Sequence, residues 1–496
     1  MLPLRGPAPR RGGPGAGGDV VTGAWETVIG LEVHAQLLTA TKAFCGCAAA
    51  VGGAPNSRCC PVCLGLPGAL PVLNRQAVEL TLRVGLATGC RIAPVSVMAR
   101  KHYFYPDLPK GYQISQYARP LCEEGALTVD GRRVRLKRIH LEEDAGKSVH
   151  GAGGTRVDLN RCGVPLAEIV TEPDLRSPAE AHATLRALRQ LLVYLGVCDG
   201  NMEEGSLRCD ANLSLRRPGS TALGVKTELK NLNSFRGVEA ALRFEAERQA
   251  ALLEAGERVR PETLLWDAAA REARPMRGKE DAEDYRYVPD PDLPPVRVDP
   301  AWLDAVRASL PELPAARAAR FVALGLTPYD AGVLTADPAL ADTFEAVLGA
   351  GAPLAAATSW VSGELLRHAN ERGLAPADFP VPPAGLADLL KRVEAGELSN
   401  SAAKTVFARM VDEGGDAAAW IRRLDLGLVS DEDALAARVA AIVAANPSEL
   451  ARYRAGESKL FGWFVGQLMA DSKGKADPRL ASRLVRERLD AGADGD

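Results

Sequence analysis

Three short segments place acids, a histidine and lysines on one side of an alternating pattern. In residues 29–37, Leu31, Val33, Ala35 and Leu37 alternate with Glu32, His34 and Gln36. In residues 206–213, Leu207, Cys209, Ala211 and Leu213 oppose Ser206, Arg208, Asp210 and Asn212. In residues 225–230, Val225, Thr227 and Leu229 oppose Lys226, Glu228 and Lys230. A period of two reads as a strand with one buried and one polar face. Polar strand faces usually just meet solvent. These carry Glu, His, Asp, Asn, Arg and Lys together, which is also the make-up of a sheet floor under an active site. The run His140-Leu141-Glu142-Glu143-Asp144-Ala145-Gly146-Lys147 adds three carboxylates beside a turn and a lysine, and Glu203-Glu204-Gly205-Ser206 adds two more. Magnesium takes a few carboxylate oxygens together with phosphate oxygens. Glu32, Glu143 and Glu228, with His34, could hold it if the polar faces share one cavity. Taken singly, such runs are more often solvated acidic turns.

Five of the ten cysteines crowd into residues 45–63. Cys45-x-Cys47 and Cys60-x-x-Cys63 lie in a loop rich in Gly, Pro and Asn, and two such pairs on tight turns can set four thiolates tetrahedrally around zinc. Cys59 could replace Cys60 only by changing the second spacing. Four thiolates leave no open position, so the expected role is structural. The alternative is a set of free buried thiols. The remaining cysteines are scattered singly, as in a cytosolic protein whose thiols stay reduced.

Residues 101–113, Lys-His-Tyr-Phe-Tyr-Pro-Asp-Leu-Pro-Lys-Gly-Tyr-Gln, belong to a stretch in which Tyr103, Phe104, Tyr105, Tyr112 and Tyr117 gather five of the chain's 25 aromatics. Lysines offset phosphate charge and aromatic faces stack on bases; equally, the rings can plug a core. No G-x-x-x-x-G-K-[ST] loop is present, so any use of ATP must rely on a sheet cavity with metal and lysines. No Ser–Lys or Ser–His hydrolase arrangement is identifiable in the sequence. Residues 449–488 hold nine Lys/Arg against five Asp/Glu, whereas the whole chain is at −3. A compact basic module suits RNA backbone.

The elements that must position these residues are partly legible. At 496 residues the chain exceeds one hydrophobic core. Residues 21–300 read as α+β, residues 301–415 as helical, and residues 416–496 as a small helical tail, with Gly414-Gly415 at the second boundary. Ser177, Pro178 and Glu180 announce a helix that ends at Gly196. A second helix is expected over residues 238–255, before Gly256. The longest charge-free stretch, residues 346–363, is broken by Gly349, Gly351 and Pro353 and reads as helical core and loop rather than a membrane span. Residues 1–20 read as a disordered extension. A cytoplasmic protein is expected.

The motifs Ile29-Gly30-Leu31-Glu32-Val33-His34, Lys101-His102-Tyr103-Phe104-Tyr105-Pro106-Asp107, residues 140–147, Asp158-Leu159-Asn160-Arg161, residues 202–212 and residues 228–235 closely resemble the B subunit of the aspartyl/glutamyl-tRNA(Asn/Gln) amidotransferase. The resemblance runs from about Trp25 to Leu489. It implies a glutamine-synthetase-like catalytic cradle, an all-α helical domain and an all-α tRNA-binding tail. It implies a heterotrimer with the A subunit, an amidase, and a small C subunit. This chain would phosphorylate the side-chain carboxylate of Glu-tRNA(Gln) or Asp-tRNA(Asn) with ATP, and ammonia would displace the phosphate. The resemblance puts magnesium on Glu32, His34, Glu143 and Glu228, catalysis on Lys101 and Glu143, ATP contacts on Lys101 and Lys230, zinc on Cys45, Cys47, Cys60 and Cys63, and tRNA contacts on Lys459, Lys473 and Lys475. Two other readings compete. One is a stand-alone ligase acting on a free amino acid. The other is a zinc-dependent RNA-binding or assembly factor without catalysis.

Overall fold

The computed structural model describes residues 24–151, 153–276, 285–427, 432–472 and 476–491. The expectation for residues 1–20 lies outside them. The chain divides into two units, one ending at Leu313 and one beginning at Pro314.

The first unit begins with strand β1 (Glu26–Gln36), helix α1 (Arg75–Ala87) and four short strands, β2 (Arg91–Ile92), β3 (Val95–Ser96), β4 (Ala99–His102) and β5 (Tyr112–Ser115). Then come β6 (Cys122–Val129), β7 (Arg132–Glu143), the hairpin β8 (Lys147–Gly151) and β9 (Gly154–Asp158), β10 (Pro165–Thr171) and α2 (Pro178–Tyr194). The unit closes with β11 (Leu207–Arg216), β12 (Thr227–Leu232), α3 (Phe235–Glu254), β13 (Thr263–Asp267), β14 (Glu272–Pro275), β15 (Val288–Pro289), β16 (Val296–Arg297) and α4 (Pro300–Ala308). Nine strands form one sheet in the order β14-β13-β12-β11-β1-β10-β7-β6-β2. Its pairings are antiparallel except β12 with β13. The helices cover one face: α1 packs on β6 and β7, α3 on β11 and β12, and α2 on α3 and β6. That layer buries Leu31, Val33, Ala211 and Leu213 with the helix leucines Leu185, Leu188 and Leu192. The alternate residues face the other way and are the polar ones.

The three expected strands form, each shifted or extended by a few residues. Ser177 caps α2 by accepting from the Glu180 N–H at 3.2 Å, and Gly196 follows with φ at 63°. Helix α3 starts at Phe235, three residues before the expected start, because Ser234 accepts from the Gly237 N–H at 3.0 Å and so takes the glycine into the first turn. Helix α4 belongs to the first unit: Trp302 Nε1 donates to Glu79 Oε1 at 2.8 Å, and the Arg75 guanidinium lies 4.4 Å from the Trp302 ring centre.

The second unit is helical throughout its described residues, from α5 (Pro314–Ala323) and α6 (Pro328–Leu334) to α15 (Leu460–Asp471) and α16 (Pro478–Asp490). It holds two separate apolar clusters. One contains Phe321, Phe344, Trp360, Phe407 and Trp420. The other contains Leu435, Val439, Phe464, Leu468 and Leu484. The charge-free stretch is split between two helices by a turn at Gly351, with φ at 89°. No helix among the described residues is long and apolar enough to cross a membrane.

A buried carboxylate ties α3 to the sheet. Glu245 is fully buried and accepts from Thr227 Oγ1 at 2.8 Å, from Gln249 Nε2 at 2.8 Å and from Arg248 Nε at 2.7 Å. Removing the cation of such a pair leaves a buried charge uncompensated. Arg248→Met should therefore destabilise the first unit by about 3 kcal/mol, read as an earlier urea transition in tryptophan fluorescence. An unchanged midpoint would mean that the carboxylate does not depend on this arginine.

Candidate active site and metal centre

The polar face of the sheet carries one continuous row of charged groups. Strand register sets it: His34 lies opposite Glu168 on β10 and Arg208 on β11, Glu32 opposite Asp210, and Glu168 opposite His140 on β7. His34 Nε2 is 3.4 Å from Glu142 Oε1, 3.5 Å from Glu168 Oε2 and 3.8 Å from Glu32 Oε1. His140 Nε2 is 3.3 Å from the same Glu168 oxygen. Two triads that could hold a cation overlap here, Glu32–His34–Glu168 and His140–Glu142–Glu168. Farther along the row, Lys230 Nζ lies 2.8 Å from Asp210 Oδ2 and 3.0 Å from Glu228 Oε1. Thr263 Oγ1 donates to Glu228 at 2.9 Å.

Burial makes this crowding matter. Glu142, Glu168 and His140 are 3%, 7% and 1% exposed, so water screens their charges little. Burial pushes the His34 imidazole down, but the hydrogen bond with Glu168 and the charges of Glu142, Glu168 and Glu32 more than reverse that, raising it to about 9. Burial and the Glu168 charge push Glu142 and Glu32 up. Glu168 lies well below the carboxylate range: burial raises it, but the two histidines outweigh that. The three carboxylates thus create a strongly negative potential that His34 answers by holding a proton. His140 Nδ1 and Asn212 Oδ1 are buried without a hydrogen-bond partner among the described residues. The donor set of carboxylate oxygens and imidazole suits a divalent cation.

Aromatic rings border the row. Lys101 Nζ lies 4.6 Å from the Tyr285 ring centre and 5.8 Å from that of Tyr103, and no carboxylate among the described residues lies within 4.0 Å of it. Tyr117 stacks on Tyr287 with ring centres 4.2 Å apart. Strand β15 pairs with β4, which brings Tyr285 and Tyr287 beside Lys101. Phe104 is 78% exposed, so this ring plugs no core.

Glu143 stands apart from the row. It is ion-paired to Lys110 and accepts from the Ile114 N–H at 2.8 Å, and its carbonyl accepts from Gln113 Nε2 at 2.7 Å. Its carboxyl helps line a cavity of about 110 Å³ together with Lys110, Tyr112, Phe44, Cys45 and Cys63. To join the cation cluster it must give up Lys110.

The four expected cysteines converge. The Sγ atoms of Cys45, Cys47, Cys60 and Cys63 all lie within 4.8 Å of one another, and Cys60 and Cys63 are 3.9 Å apart. Zinc–sulfur bonds of ~2.3 Å in a tetrahedron require sulfurs roughly 3.8 Å apart. The first pair sits on a turn closed by the Thr41–Ala48 bridge and the Lys42 N–H bond to the Cys47 carbonyl at 2.9 Å. In the second, the Cys60 N–H donates to Cys63 Sγ at 3.1 Å. Hydrogen bonding with Cys45, then the Cys60 N–H and the Lys42 charge, overcome burial and bring the Cys63 thiol down to about 4. Cys59 is not among the four. The residues fit a structural zinc ion.

Sequence comparison agrees with the division of the chain. The profile described as "GatB/GatE catalytic domain" matches residues 27–304, and that described as "GatB domain" matches residues 342–489. The chain is 54% identical over 472 residues to the aspartyl/glutamyl-tRNA(Asn/Gln) amidotransferase B subunit of Solidesulfovibrio magneticus, covering 94% of this chain and 99% of that one. The protein of the same name from Anaeromyxobacter dehalogenans strain 2CP-1 is 55% identical over 477 residues, covering 94% and 99%. That of Chlorobaculum tepidum is 52% identical over 473 residues, covering 94% and 100%. The chain belongs to the B-subunit family of the aspartyl/glutamyl-tRNA(Asn/Gln) amidotransferases.

Within this family member, the structure brings Glu32 and His34 together and sets Glu228 and Lys230 on the same face, beside Asp210. Lys101 borders the row, and Glu143 does not join it. Glu142, His140 and Glu168 complete the cluster. Glu142 and His140 belong to the acidic run of residues 140–147, whose composition alone gives neither of them a role. Sequence reasoning misses Glu168, although one glutamate amid the apolar residues 164–170 is the mark of a charge placed on a buried strand. Lys459 is exposed at the start of α15, while Lys473 and Lys475 lie outside the described residues.

The raised His34 value gives a pH dependence. Below about 9 the ring is protonated and must lose that proton to bind a cation. Manganese affinity should therefore rise with pH, by about tenfold per unit below that value. Titration calorimetry in two buffers of different ionisation heat should show release of about one proton per ion. The stability term has the opposite sign: what His34 gains from its carboxylates is fully present below its ordinary value and is lost as pH rises through about 9. Affinity independent of pH, with no proton released, would exclude His34 as a ligand.

Proposed function

We propose that this chain is the component of a tRNA-dependent amidotransferase that activates the side-chain carboxylate of Glu-tRNA(Gln) or Asp-tRNA(Asn) with ATP, so that glutamine-derived ammonia converts it to the amide. The carrying observation is the row of carboxylates around His34, Glu142 and Glu168 among them buried, bordered by a lysine without a carboxylate partner among the described residues. Family membership supports the substrate class. The B-subunit name of the relatives supports an enzyme of several chains, for which an amidase (the A subunit) and a small C subunit are the proposed partners, acting in the cytoplasm.

The chemistry explains the donor set. A carboxylate is a poor electrophile because its oxygen leaves badly, whereas an acyl phosphate loses phosphate readily. Glu32, His34, Glu142 and Glu168 would hold magnesium, which neutralises charge on a transferring phosphoryl group when bound. Glu143 can reach that site only after releasing Lys110. Lys101 offers an ammonium to the phosphates. Lys230, kept charged by Asp210 and Glu228 against the effect of burial, supplies a second cation on the same floor. The tyrosines around Lys101 narrow the approach from solvent. Residues 21–300 form the glutamine-synthetase-like cradle in this reading. Residues 301–415 form the helical domain, and residues 416–496 form the tail whose Lys459, Lys473 and Lys475 meet the tRNA backbone.

The test uses the chain assembled with its amidase and small partners. ADP release should require Glu-tRNA(Gln) or Asp-tRNA(Asn) and should not occur with uncharged tRNA, free glutamate or no RNA. Equal release with free glutamate would replace this reading by a small-molecule ligase, and no release under any condition by a noncatalytic RNA-binding factor. Glu168→Gln should leave assembly intact and lower turnover roughly 100-fold, in line with losses at residues that orient or bind metal.

A further inference from the structure

Lys42 is fully buried, with 0% exposure. Its ammonium donates to the Arg58 carbonyl at 2.8 Å and to the Leu159 carbonyl at 3.4 Å, and it lies 3.7 Å from Cys63 Sγ. No carboxylate among the described residues lies within 4.0 Å of it. Carbonyl dipoles satisfy the N–H groups but do not neutralise the charge, and an uncompensated buried ammonium is costly. The surrounding sulfurs offer the missing anion. Four thiolates around a divalent ion leave a net charge of about −2 in a site from which water is largely excluded. An ammonium beside one of those thiolates reduces that charge, so the cation and the anionic centre each make the other's burial tolerable.

We propose that Lys42 is the counter-cation of the four-cysteine metal centre, a positioning residue that sets how tightly the centre keeps its ion. The inference rests on the zinc reading of Cys45, Cys47, Cys60 and Cys63. It extends that reading to a residue that donates no electron pair to the metal. Geometry gives Lys42 a second attachment. The Leu159 carbonyl it holds belongs to the turn over residues 158–163, whose Gly163 carbonyl accepts from the Ala43 N–H at 2.8 Å. In the same turn, Asn160 Oδ1 accepts from the Arg58 N–H at 2.8 Å. The lysine therefore joins both cysteine turns to the segment that ends at β10. Gly163 has φ at 83°, a left-handed conformation that favours glycine, and its turn packs directly beside Lys42 and Cys63: a Cβ there would make ordinary contacts with Lys42 Cδ at 3.5 Å and Cys63 Cβ at 3.7 Å.

The test compares the full-length wild type with Lys42→Met and Lys42→Arg. Zinc content is measured on purification, and loss of zinc to a competing chromogenic chelator is followed in time. Lys42→Met should lose zinc about tenfold faster or bind it about tenfold more weakly, the scale expected for an outer partner of a metal ligand. Lys42→Arg should recover part of that. Melting should be recorded with zinc and after its removal. Lys42→Met should lower the melting temperature of the zinc-loaded protein more than that of the zinc-free protein. An equal drop in both states would make Lys42 a spacer that serves the fold alone, and unchanged zinc retention would equally overturn the inference. Wild-type protein without zinc, and without a cobalt–thiolate absorption band after cobalt addition, would overturn the zinc reading itself and this inference with it.

Discussion

Three carboxylates held around one imidazole set the terms for the first unit. Like charges this close repel, and burial strengthens the repulsion because little water is left to screen it. A sheet can hold them only if its strands are rigid in register and if positive charge is supplied among them. Register is fixed from behind by the continuous apolar layer under α1, α2 and α3, because a slip of one residue would exchange the acids with Leu31, Val33 and their neighbours. Positive charge comes from His34 at one end of the row and from Lys230 at the other. The site is therefore arranged in advance for a cation, and the proton on His34 is the charge a metal would replace.

The same balance of charge and fastening governs the cysteine loop. Asparagines do much of the fastening: Asn56 bonds to the Val157 carbonyl and the Leu159 N–H, and Asn160 to the Arg58 N–H and the Ala54 carbonyl. These bonds join two segments far apart in sequence, and a metal centre would close the loop that makes them. From the turn the connection continues. The Gly163 N–H donates to the Asp144 carbonyl at 2.9 Å, and the Asp144 carboxyl accepts from Gln36 Nε2 at 3.0 Å and pairs with Arg208 at 3.1 Å. Gln36 and Arg208 stand on β1 and β11, the strands that carry the charged row. The loop is thus tied through covalent chain and hydrogen bonds to the floor whose geometry the acids require.

What is legible in the sequence follows from the range of the interactions. Alternation is local, so β1, β11 and β12 and their polar faces can be read directly. Caps are local as well, so α2 is readable nearly to its ends. The start of α3 is misread because a glycine in the first turn signals a break, while the Ser234 cap that outweighs it is only a few residues upstream. The paired cysteines are readable because ligands on tight turns keep short spacings. Glu168 is not, because its strand reads as an apolar run and its meaning comes from His34 and His140, which meet it only in the sheet. The partner of Lys42 is hidden for the same reason: in sequence it is one lysine before a cysteine motif, and only folding removes every described carboxylate from its reach.

Glu142 and Glu143 show why adjacency in sequence misleads about a site. On one strand, neighbouring side chains point to opposite sides. Glu142 turns to the histidines, and Glu143 turns to Lys110 and the cavity that Cys45 and Cys63 help to line. The two acids look interchangeable as metal ligands in a run of three carboxylates, yet each is committed by different partners. Glu142 joins a cluster that needs positive charge, whereas Glu143 already has a lysine and a backbone N–H. Any rearrangement that brought Glu143 to the cation would have to leave the Lys110 ammonium in the cavity without its partner. That penalty falls on the side of the strand next to the cysteine loop, so the end of β7 is where the metal loop and the charged floor are mechanically joined.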